Sequence, residues 1–166
     1  MNLLHHRNMN NMKSIKYFVM DVDGTLTDGK IYMANDGEAM KAFSIKDGCG
    51  IHDILIPAGI IPVIITGRTS KIVLNRCNEL GIKEIRQGIS NKIEELRSIT
   101  NDLSTVVYIG DDLNDLSCML PVKEAGGIVG CPKDAVKKVI ELADFVADHN
   151  GGDGAVRDFI DWIVEN

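Results

Sequence analysis

Acidic side chains follow two of the short apolar runs in this 166-residue sequence, at the points where those runs end. Asp21 and Asp23 come directly after the first run, and three more carboxylates follow a later run, at Asp111, Asp112 and Asp115. Carboxylates that lie close together repel one another, so such a cluster is unfavourable unless a cation is present. Ligand sets made only of oxygen favour a hard ion such as Mg²⁺, which keeps bound waters and leaves room for a phosphate.

A hydroxyl, an ammonium and a guanidinium extend this set of polar groups. The string Thr66-Gly67-Arg68 follows another apolar run, and Lys92 lies at the start of a helical pattern. A lysine supplies positive charge for phosphoryl oxygens, and a carboxylate beside Mg²⁺ stays ionised at neutral pH and can act as a nucleophile. The residue types therefore indicate metal-assisted phosphoryl transfer.

Each of these residues also has an ordinary structural explanation. Asp112 fits a helix N-cap as well as it fits a direct role. Thr66, Gly24 and Gly67 fit plain turns, and a lysine such as Lys92 is usually solvated. What weighs against coincidence is that these residues follow strands, and would therefore meet at one edge of a sheet.

Alternating strand and helix patterns must position these groups. Short apolar runs, typical of strands that are covered on both faces of a parallel sheet, occur at 17–20, 61–65, 84–86, 106–109, 127–129 and 145–146. Amphipathic helical patterns occur between them, at 50–58, 70–80, 90–99, 134–142 and 155–164. Ser70 and Ser90 are the expected N-caps of two of these helices. The alternation predicts an α/β fold with a doubly wound, Rossmann-like and mostly parallel sheet of about six strands.

One segment, 30–43, interrupts the alternation and predicts an inserted β-hairpin around Asn35-Asp36-Gly37. An isolated hairpin is marginal in water, so we expect it to lie against something else. We interpret 1–13 as a flexible leader and 14–166 as a single domain whose C-terminal tail is 149–166.

Composition excludes several classes of protein. The hydrophobic fraction of 45% and the charged fraction of 25% are those of a globular domain. A net charge of −6 makes the chain a poor candidate for binding nucleic acid. No apolar run is long enough to span a membrane, and the first dozen residues lack the apolar run of a signal peptide. Four scattered cysteines form no zinc pattern and are typical of reduced thiols in a cytoplasmic protein.

Four motifs occur in an order that is characteristic of one superfamily. The string DVDGTLTDG closes the first apolar run and is followed by TGR, by the helix-borne Lys92 and by GDDLND. Together these motifs resemble the haloacid dehalogenase superfamily of phosphatases, and the resemblance extends from Ile15 to the C-terminus.

This resemblance implies a role for each motif residue. Asp21 would be the nucleophile that forms an aspartyl-phosphate, and Asp23 would protonate the leaving alcohol and then activate the hydrolytic water. Mg²⁺ would be bound by Asp21, the backbone carbonyl of Asp23 and Asp111, with Asp112 and Asp115 in support. Thr66 and Lys92 would hold the phosphoryl group, and Gly24, Thr25 and Gly67 would be substrate-binding residues beside them.

The sequence leaves no room for the cap domain that usually seals the site in this superfamily. The interval from Asp23 to Thr66 holds only the hairpin and one helix, and the interval from Thr66 to Lys92 holds one helix and one strand. A cap would need about 50 residues or more. The site would then be open to water in a monomer, so that either a macromolecular substrate or a neighbouring subunit would have to close it.

The second solution resembles the capless, homotetrameric sugar-acid phosphatases of the superfamily. The shared strings are DVDGTLTDG, NDGE in the hairpin, FSIKDGCGI at 43–51, TGRTS, LGI at 80–82, GDDLND and the tail GGDGAVRDFI. This resemblance implies Mg²⁺-dependent hydrolysis of 3-deoxy-D-manno-octulosonate 8-phosphate in the cytoplasm, for lipopolysaccharide synthesis. It also implies that the glycine-rich tail helps to close the site.

Three basic residues are the candidates for recognising the sugar acid. Arg68 follows the phosphate-binding corner, and its guanidinium matches a carboxylate in two-pronged geometry. Related enzymes that act on nine-carbon sialic-type phosphates tend to carry Glu at this position, so Arg68 favours the eight-carbon substrate. Lys46 stands where the octulosonate enzymes usually have Arg, and Arg157 is a further contact expected from the tail.

Other functions are also compatible with the sequence. A phosphatase of a nine-carbon sialic-acid-type 9-phosphate is the nearest alternative, and a non-catalytic module associated with a sugar-nucleotide synthetase is another. A signalling receiver domain also has an acidic Mg²⁺ site and an aspartyl-phosphate. Receivers carry that aspartate after a middle strand and have no acid–base partner two residues on, whereas this chain has Asp23.

Overall fold

The computed structural model describes residues 15–166, so the leader expected at 1–13 lies outside the described residues. These residues form eight strands, β1 to β8 in order: Tyr17–Met20, Tyr32–Ala34, Gly37–Met40, Ile61–Ile65, Glu84–Arg86, Val106–Ile109, Ile128–Cys131 and Phe145–Val146. Six of them form a sheet in the order β5-β4-β1-β6-β7-β8, with every neighbouring pair parallel. The predicted α/β fold with its parallel sheet is confirmed.

Six α-helices lie within the described part of the chain, five of them between strands and the last after β8. They are α1 to α6 in chain order: Ile45–Cys49, Lys71–Glu79, Lys92–Ile99, Leu116–Glu124, Lys137–Leu142 and Ala155–Glu165. A π-helical turn, Gly50–Leu55, continues α1. The buried residues of the π-helical turn, α2 and α6 pack on one face of the sheet, and those of α3, α4 and α5 pack on the other. Helices therefore cover both faces, as in a doubly wound fold.

The strand order reverses at β1, which lies between β4 and β6. A crevice forms at such a reversal, outside the carboxyl ends of the strands, because the following loops leave the sheet in opposite directions. The loops that carry the predicted chemistry follow β1, β4 and β6, and therefore meet at this crevice.

Several helix boundaries differ from the sequence-based expectations. The helix expected at 50–58 begins at Ile45 and ends in the π-helical turn. The helix expected at 90–99 begins at Lys92, because Asn91 rather than Ser90 accepts the capping hydrogen bond from the Glu94 backbone. The helix expected at 134–142 begins at Lys137, and α4 was not expected at all. The strand expected at 127–129 is Ile128–Cys131.

The hairpin predicted at 30–43 is present as a separate antiparallel pair, β2 and β3. It exposes three large apolar side chains, at Ile31, Met33 and Met40. Between Asp23 and the start of β4 at Ile61, a stretch that the structure describes in full, the hairpin, α1 and the π-helical turn are the only helices and strands. Among residues 15–166, no helix combines the length and the apolar composition that crossing a membrane requires.

Candidate active site

The loop after β1 carries the expected nucleophile. Asp21 continues the sheet ladder, with its backbone N–H donating to Ile109 O at 3.1 Å. The backbone N–H groups of Thr25, Leu26 and Thr27 then all donate to one carbonyl, that of Val22, which closes a tight turn. This turn fixes the direction in which Asp21 leaves the sheet.

Gly24 lies where this turn meets the loop after β6. Its φ is +90°, and a Cβ at this position would lie 2.0 Å from Oδ2 of Asp111. Only glycine therefore allows Asp111 to approach the nucleophile loop so closely. The Thr25 hydroxyl also donates to Oδ1 of Asp111, at 3.2 Å.

Three carboxylates, those of Asp21, Asp111 and Asp115, have oxygens within 4.8 Å of one another. Burial raises the pKa of Asp21 to about 6, with Asp115 adding to the shift and Lys92 opposing it. Burial raises the pKa of Asp111 to about 7, and repulsion from Asp21 and Asp115 adds to it. Ionising both groups is therefore costly in the protein alone, and a divalent cation would remove that cost.

Asp115 has little capacity left to bind a metal ion. Its Oδ1 accepts hydrogen bonds from Lys92 Nζ at 2.7 Å and from the Tyr108 hydroxyl at 2.9 Å. Its Oδ2 accepts from the backbone N–H groups of Asp111 and Asp112, at 3.0 and 3.2 Å. Asp21 and Asp111 are therefore the carboxylates available to an ion, and Asp115 orients the groups around them.

The ammonium of Lys92 lies between two of these carboxylates, although lysines are usually solvated. It is 3.0 Å from Oδ1 of Asp21 and 2.7 Å from Oδ1 of Asp115, and its side chain is 4% exposed. Burial alone would lower its pKa, but Asp21 and Asp115 outweigh burial and raise it. Lys92 therefore stays charged beside the nucleophile, where a phosphoryl group would need a cation.

Asp112 has the geometry of a helix cap. Its side chain accepts from the Leu113 backbone at 2.7 Å, and Asp115 reciprocates in a capping box. Asp112 is exposed, whereas Asp115 is fully buried.

Thr66 and Gly67 follow β4 at the same edge of the sheet. Thr66 is buried, and its backbone is fixed by bonds to Arg86 O at 3.0 Å and from Ile89 N at 3.1 Å. Gly67 and Arg68, directly after it, are exposed. The threonine is thus held rigidly while the next two residues are accessible from solvent.

Asp23 contacts Lys41, a residue that the sequence analysis did not identify. Its Oδ1 accepts a short hydrogen bond from Lys41, and its Oδ2 is 3.9 Å from Nε of Arg68. Lys41 follows β3 of the hairpin and also pairs with Glu38, at 3.0 Å. No sequence signal identified Lys41, because a lysine beside a hairpin strand usually points into solvent.

Arg157 and Lys46 are not brought to this cluster in the single chain. The Arg157 guanidinium pairs with Asp161 at 2.8 Å, and its side chain lies against Gly50. Lys46 is exposed, and its ammonium has no ion pair within residues 15–166. Their contact with substrate stays a prediction.

The glycine-rich tail is a shaped loop that packs on the nucleophile loop. The Gly152 N–H donates to Thr25 O at 3.0 Å, and the Gly151 N–H donates to Asp134 at 2.9 Å. A Cβ on Gly151 would lie 1.9 Å from the carbonyl oxygen of Gly24. The tail therefore supports the rim of the site within one chain.

Replacing Gly151 with alanine tests this contact. Because the new methyl group would overlap the Gly24 carbonyl, we expect a loss of about 1–3 kcal/mol in the free energy of unfolding and a fall in kcat of about tenfold. Urea denaturation and steady-state assays measure the two effects.

Gly59→Ala is the matched control for this substitution. Gly59 has φ of +81° and nothing within 4 Å of the position that a methyl group would take, so it should lose about 1–2 kcal/mol of stability with kcat unchanged. Wild-type stability and kcat in Gly151→Ala would contradict the contact. A truncation at Gly151 is a poorer probe, because α6 carries the core residues Phe159 and Ile160.

Comparisons with known proteins identify clear relatives. The chain is 41% identical over 160 residues to 3-deoxy-D-manno-octulosonate 8-phosphate phosphatase KdsC of Salmonella typhi, covering 94% of this chain and 82% of that protein. A crystal structure of the phosphatase of the same name from Moraxella catarrhalis, in complex with magnesium, phosphate and KDO, has a TM-score of 0.86 and 38% identity. It matches 96% of this chain and 92% of that one.

A further solved structure places the fold in a wider group. A haloacid dehalogenase superfamily (subfamily III A) hydrolase from Legionella pneumophila has a TM-score of 0.82 and 36% identity, over 94% of this chain and 85% of that one. No family profile matches the chain.

Proposed function

Because the chain belongs to the haloacid dehalogenase superfamily and, within it, to the family of 3-deoxy-D-manno-octulosonate 8-phosphate phosphatases, we propose that it hydrolyses this sugar phosphate to the free sugar acid and phosphate. The observation that carries the proposal is the cluster of Asp21, Asp111 and Asp115 at the strand-order reversal, in which Lys92 pairs with Asp21 and Asp115. It is a phosphomonoesterase whose reacting groups all lie on one edge of the sheet.

Asp21 performs the first half of the reaction. Its carboxylate oxygen attacks phosphorus and the bond to the sugar oxygen breaks, while Asp23 gives a proton to that leaving oxygen. Lys92, 3.0 Å from Asp21, neutralises charge on the phosphoryl oxygens. Thr66, which is buried at the same edge of the sheet, would donate its hydroxyl to the same group.

The second half reverses the role of Asp23. The carboxylate takes a proton from water, the resulting hydroxide attacks the phosphorus of the aspartyl-phosphate, and Asp21 is released. Because Asp23 first gives and then takes one proton, the cycle returns it to its starting state. Steady turnover of this kind separates the enzyme from a receiver domain.

Mg²⁺ is the cofactor, and Asp21, Asp111 and the backbone carbonyl of Asp23 would hold it. The fit rests on the raised pKa values of the two carboxylates and on the glycine at 24 that lets Asp111 approach. When bound, Mg²⁺ keeps Asp21 ionised and offsets the negative charge of the phosphoryl oxygens.

The substrate choice is tested by two sugar phosphates assayed side by side. We expect kcat/KM for 3-deoxy-D-manno-octulosonate 8-phosphate to exceed that for a nine-carbon sialic-type 9-phosphate by at least about tenfold. Release of inorganic phosphate measures both rates. A preference for the nine-carbon ester would reverse the assignment, and no turnover of either would overturn it.

Arg68 is proposed to bind the carboxylate of the sugar acid. It is exposed and only loosely paired, at 3.9 Å from Asp23 and 4.0 Å from Glu38, so it is available to a ligand. We expect Arg68→Met to raise KM for the sugar acid phosphate about 10- to 100-fold, the loss of one charged hydrogen-bonded pair. KM for glycerol phosphate, which has no carboxylate, should stay within about twofold. Equal changes for both esters would argue against this role.

We further propose that the enzyme is a cytoplasmic homotetramer. The apolar side chains that the hairpin exposes, with Met33 63% exposed, are suited to a subunit contact. A neighbouring subunit there would cover a site that no cap closes. The four free cysteines suit a reducing compartment.

A further inference from the structure

The hairpin contributes a buried ion-pair network to the site. The Lys41 side chain is only 3% exposed, and its ammonium bonds to Oδ1 of Asp23 and to Glu38, the latter at 3.0 Å. A buried ammonium costs free energy unless it is paired and hydrogen-bonded, so both carboxylates are needed to hold it. Lys41 is thus fixed in place, unlike a surface lysine.

Glu38 connects this network to the loop after β4. Its Oε2 accepts a short hydrogen bond from the hydroxyl of Ser70, the residue that caps α2, and its Oε1 is 4.0 Å from Arg68. Ser70 is itself held by Gln87, whose side chain accepts from the Ser70 N–H at 2.8 Å. The position of Lys41 is therefore set by two elements besides its own.

The two oxygens of Asp23 are consequently in different environments. Oδ1 accepts the hydrogen bond from Lys41, whereas Oδ2 accepts none within residues 15–166 and lies 3.9 Å from Nε of Arg68. Asp23 keeps 23% of its side chain exposed, so the carboxylate is accessible from solvent. A single carboxylate oxygen is thereby presented for proton transfer.

We propose that Lys41 is a positioning residue that holds Oδ1 of Asp23, so that Oδ2 is the atom that transfers the proton. The inference rests on the proposed function and deepens it. In the first half-reaction the proton on Oδ2 moves to the leaving sugar oxygen as the phosphorus–oxygen bond breaks. In the second, Oδ2 takes a proton from the attacking water, and Lys41 keeps its protons throughout.

Lys41→Met tests the proposal, because it removes the ammonium and keeps the length of the side chain. The control is Lys30→Met, the same substitution at an exposed lysine that precedes β2 and forms no ion pair within the described residues. Circular dichroism and thermal melting confirm that each variant is folded. Should Lys41→Met not fold, Glu38→Gln loosens Lys41 from its other side and takes its place.

The decisive readout compares two leaving groups in the first turnover. A sugar alkoxide needs a proton to depart, whereas p-nitrophenolate departs as an anion without one. We expect Lys41→Met to slow first-turnover release of the sugar about 10- to 100-fold, because a misplaced Asp23 carboxyl loses part of its effect as a general acid. First-turnover release of p-nitrophenolate and both KM values should stay within about twofold.

Two results would overturn the proposal. One is that Lys41→Met slows first-turnover release of the sugar and of p-nitrophenolate equally, since Lys41 would then act on phosphate binding. A variant that slows neither release would show that Lys41 has no role in the reaction. The other comes from the double variant Asp23→Asn/Lys41→Met. If Lys41 acts through Asp23, adding Lys41→Met to Asp23→Asn should cause little further loss of rate. A further loss as large as the one that Lys41→Met causes in the wild type would contradict the proposal. If the wild type does not hydrolyse 3-deoxy-D-manno-octulosonate 8-phosphate but does hydrolyse another alkyl phosphate, the substrate assignment is wrong. The role of Lys41 is then tested by comparing that alkyl phosphate with p-nitrophenyl phosphate.

Discussion

Replacing Asp21 with asparagine is expected to abolish turnover, with a fall in kcat on the order of 10⁶-fold, as in other enzymes that lose their nucleophile. An amide oxygen is far less nucleophilic than a carboxylate, and the neighbouring carboxylate of Asp115 cannot replace it, because it already accepts four hydrogen bonds. Phosphate release from the sugar phosphate measures the loss.

The same substitution should not damage the fold. Burial raises the pKa of Asp21 to about 6 from its ordinary value of 3.8, so its contribution to stability is full below about pH 4 and is lost as the pH rises through about 6. Asparagine does not ionise, so Asp21→Asn avoids this loss of stability at high pH. Lys92 keeps its hydrogen bond to Asp115 in the variant. Without Mg²⁺ at pH 8, the Tm of Asp21→Asn should therefore equal or exceed that of the wild type.

Asp36→Asn serves as the matched control for Asp21→Asn. Asp36 is exposed in the hairpin turn, where asparagine is equally favourable, so activity and Tm should both stay at wild-type values. If Asp21→Asn kept more than about 1% of wild-type turnover in the same assay, the role of Asp21 as nucleophile would be disproved.

Removing Mg²⁺ is expected to abolish phosphate release, and adding Mg²⁺ back should restore the rate. The ion supplies several kcal/mol of charge stabilisation to the phosphoryl oxygens, so EDTA should reduce kcat below about 1% of its value. Phosphate release before chelation, after it and after return of Mg²⁺ gives the measurement. Indifference to chelation would refute the metal site.

The Mg²⁺ requirement should also depend on pH. In the metal-free protein the pKa values of Asp21 and Asp111 are raised to about 6 and about 7, so protons compete with the ion below pH 7. The Mg²⁺ concentration for half-maximal activity should rise about tenfold per pH unit below pH 7 for each proton displaced.

Stability provides an independent check of this competition. The folded pKa values lie above the unfolded ones, so the metal-free protein loses stability as the pH rises from about 4 through 7. Mg²⁺ should therefore raise the Tm more at pH 8 than at pH 5. An equal rise at both values would place the ion away from these carboxylates.

The sequence by itself determined the sheet and the loops that carry the site. Short apolar runs bounded by glycine and polar residues identify buried strands locally, and the strands Tyr17–Met20, Ile61–Ile65 and Val106–Ile109 lie where these runs predict them. The cap at Ser70 was predictable for the same reason, because its partner, Val73, is three residues away. Strands and helix caps that depend on residues a few positions apart can therefore be predicted from the sequence.

Competition between adjacent residues was harder to predict. Ser90 and Asn91 are both good caps, and only the backbone geometry decides that Asn91 accepts the bond from Glu94. Helix α4 escaped notice because Pro121 interrupts its pattern and its apolar residues do not form a clear stripe. The early start of α1 depends on Ser44, which caps it by accepting from the Lys46 backbone.

Only the tertiary structure decided which side chains meet across the crevice. Lys41 and Asp23 are 18 residues apart and Gly151 lies more than a hundred residues from Gly24, yet each pair is in contact. Such contacts depend on the direction in which a loop leaves the sheet and on the rotamer at its end, and neither leaves a periodic trace in the sequence. The spacing of the motifs therefore predicts the reacting residues, whereas burial and long-range packing decide which other side chains orient them.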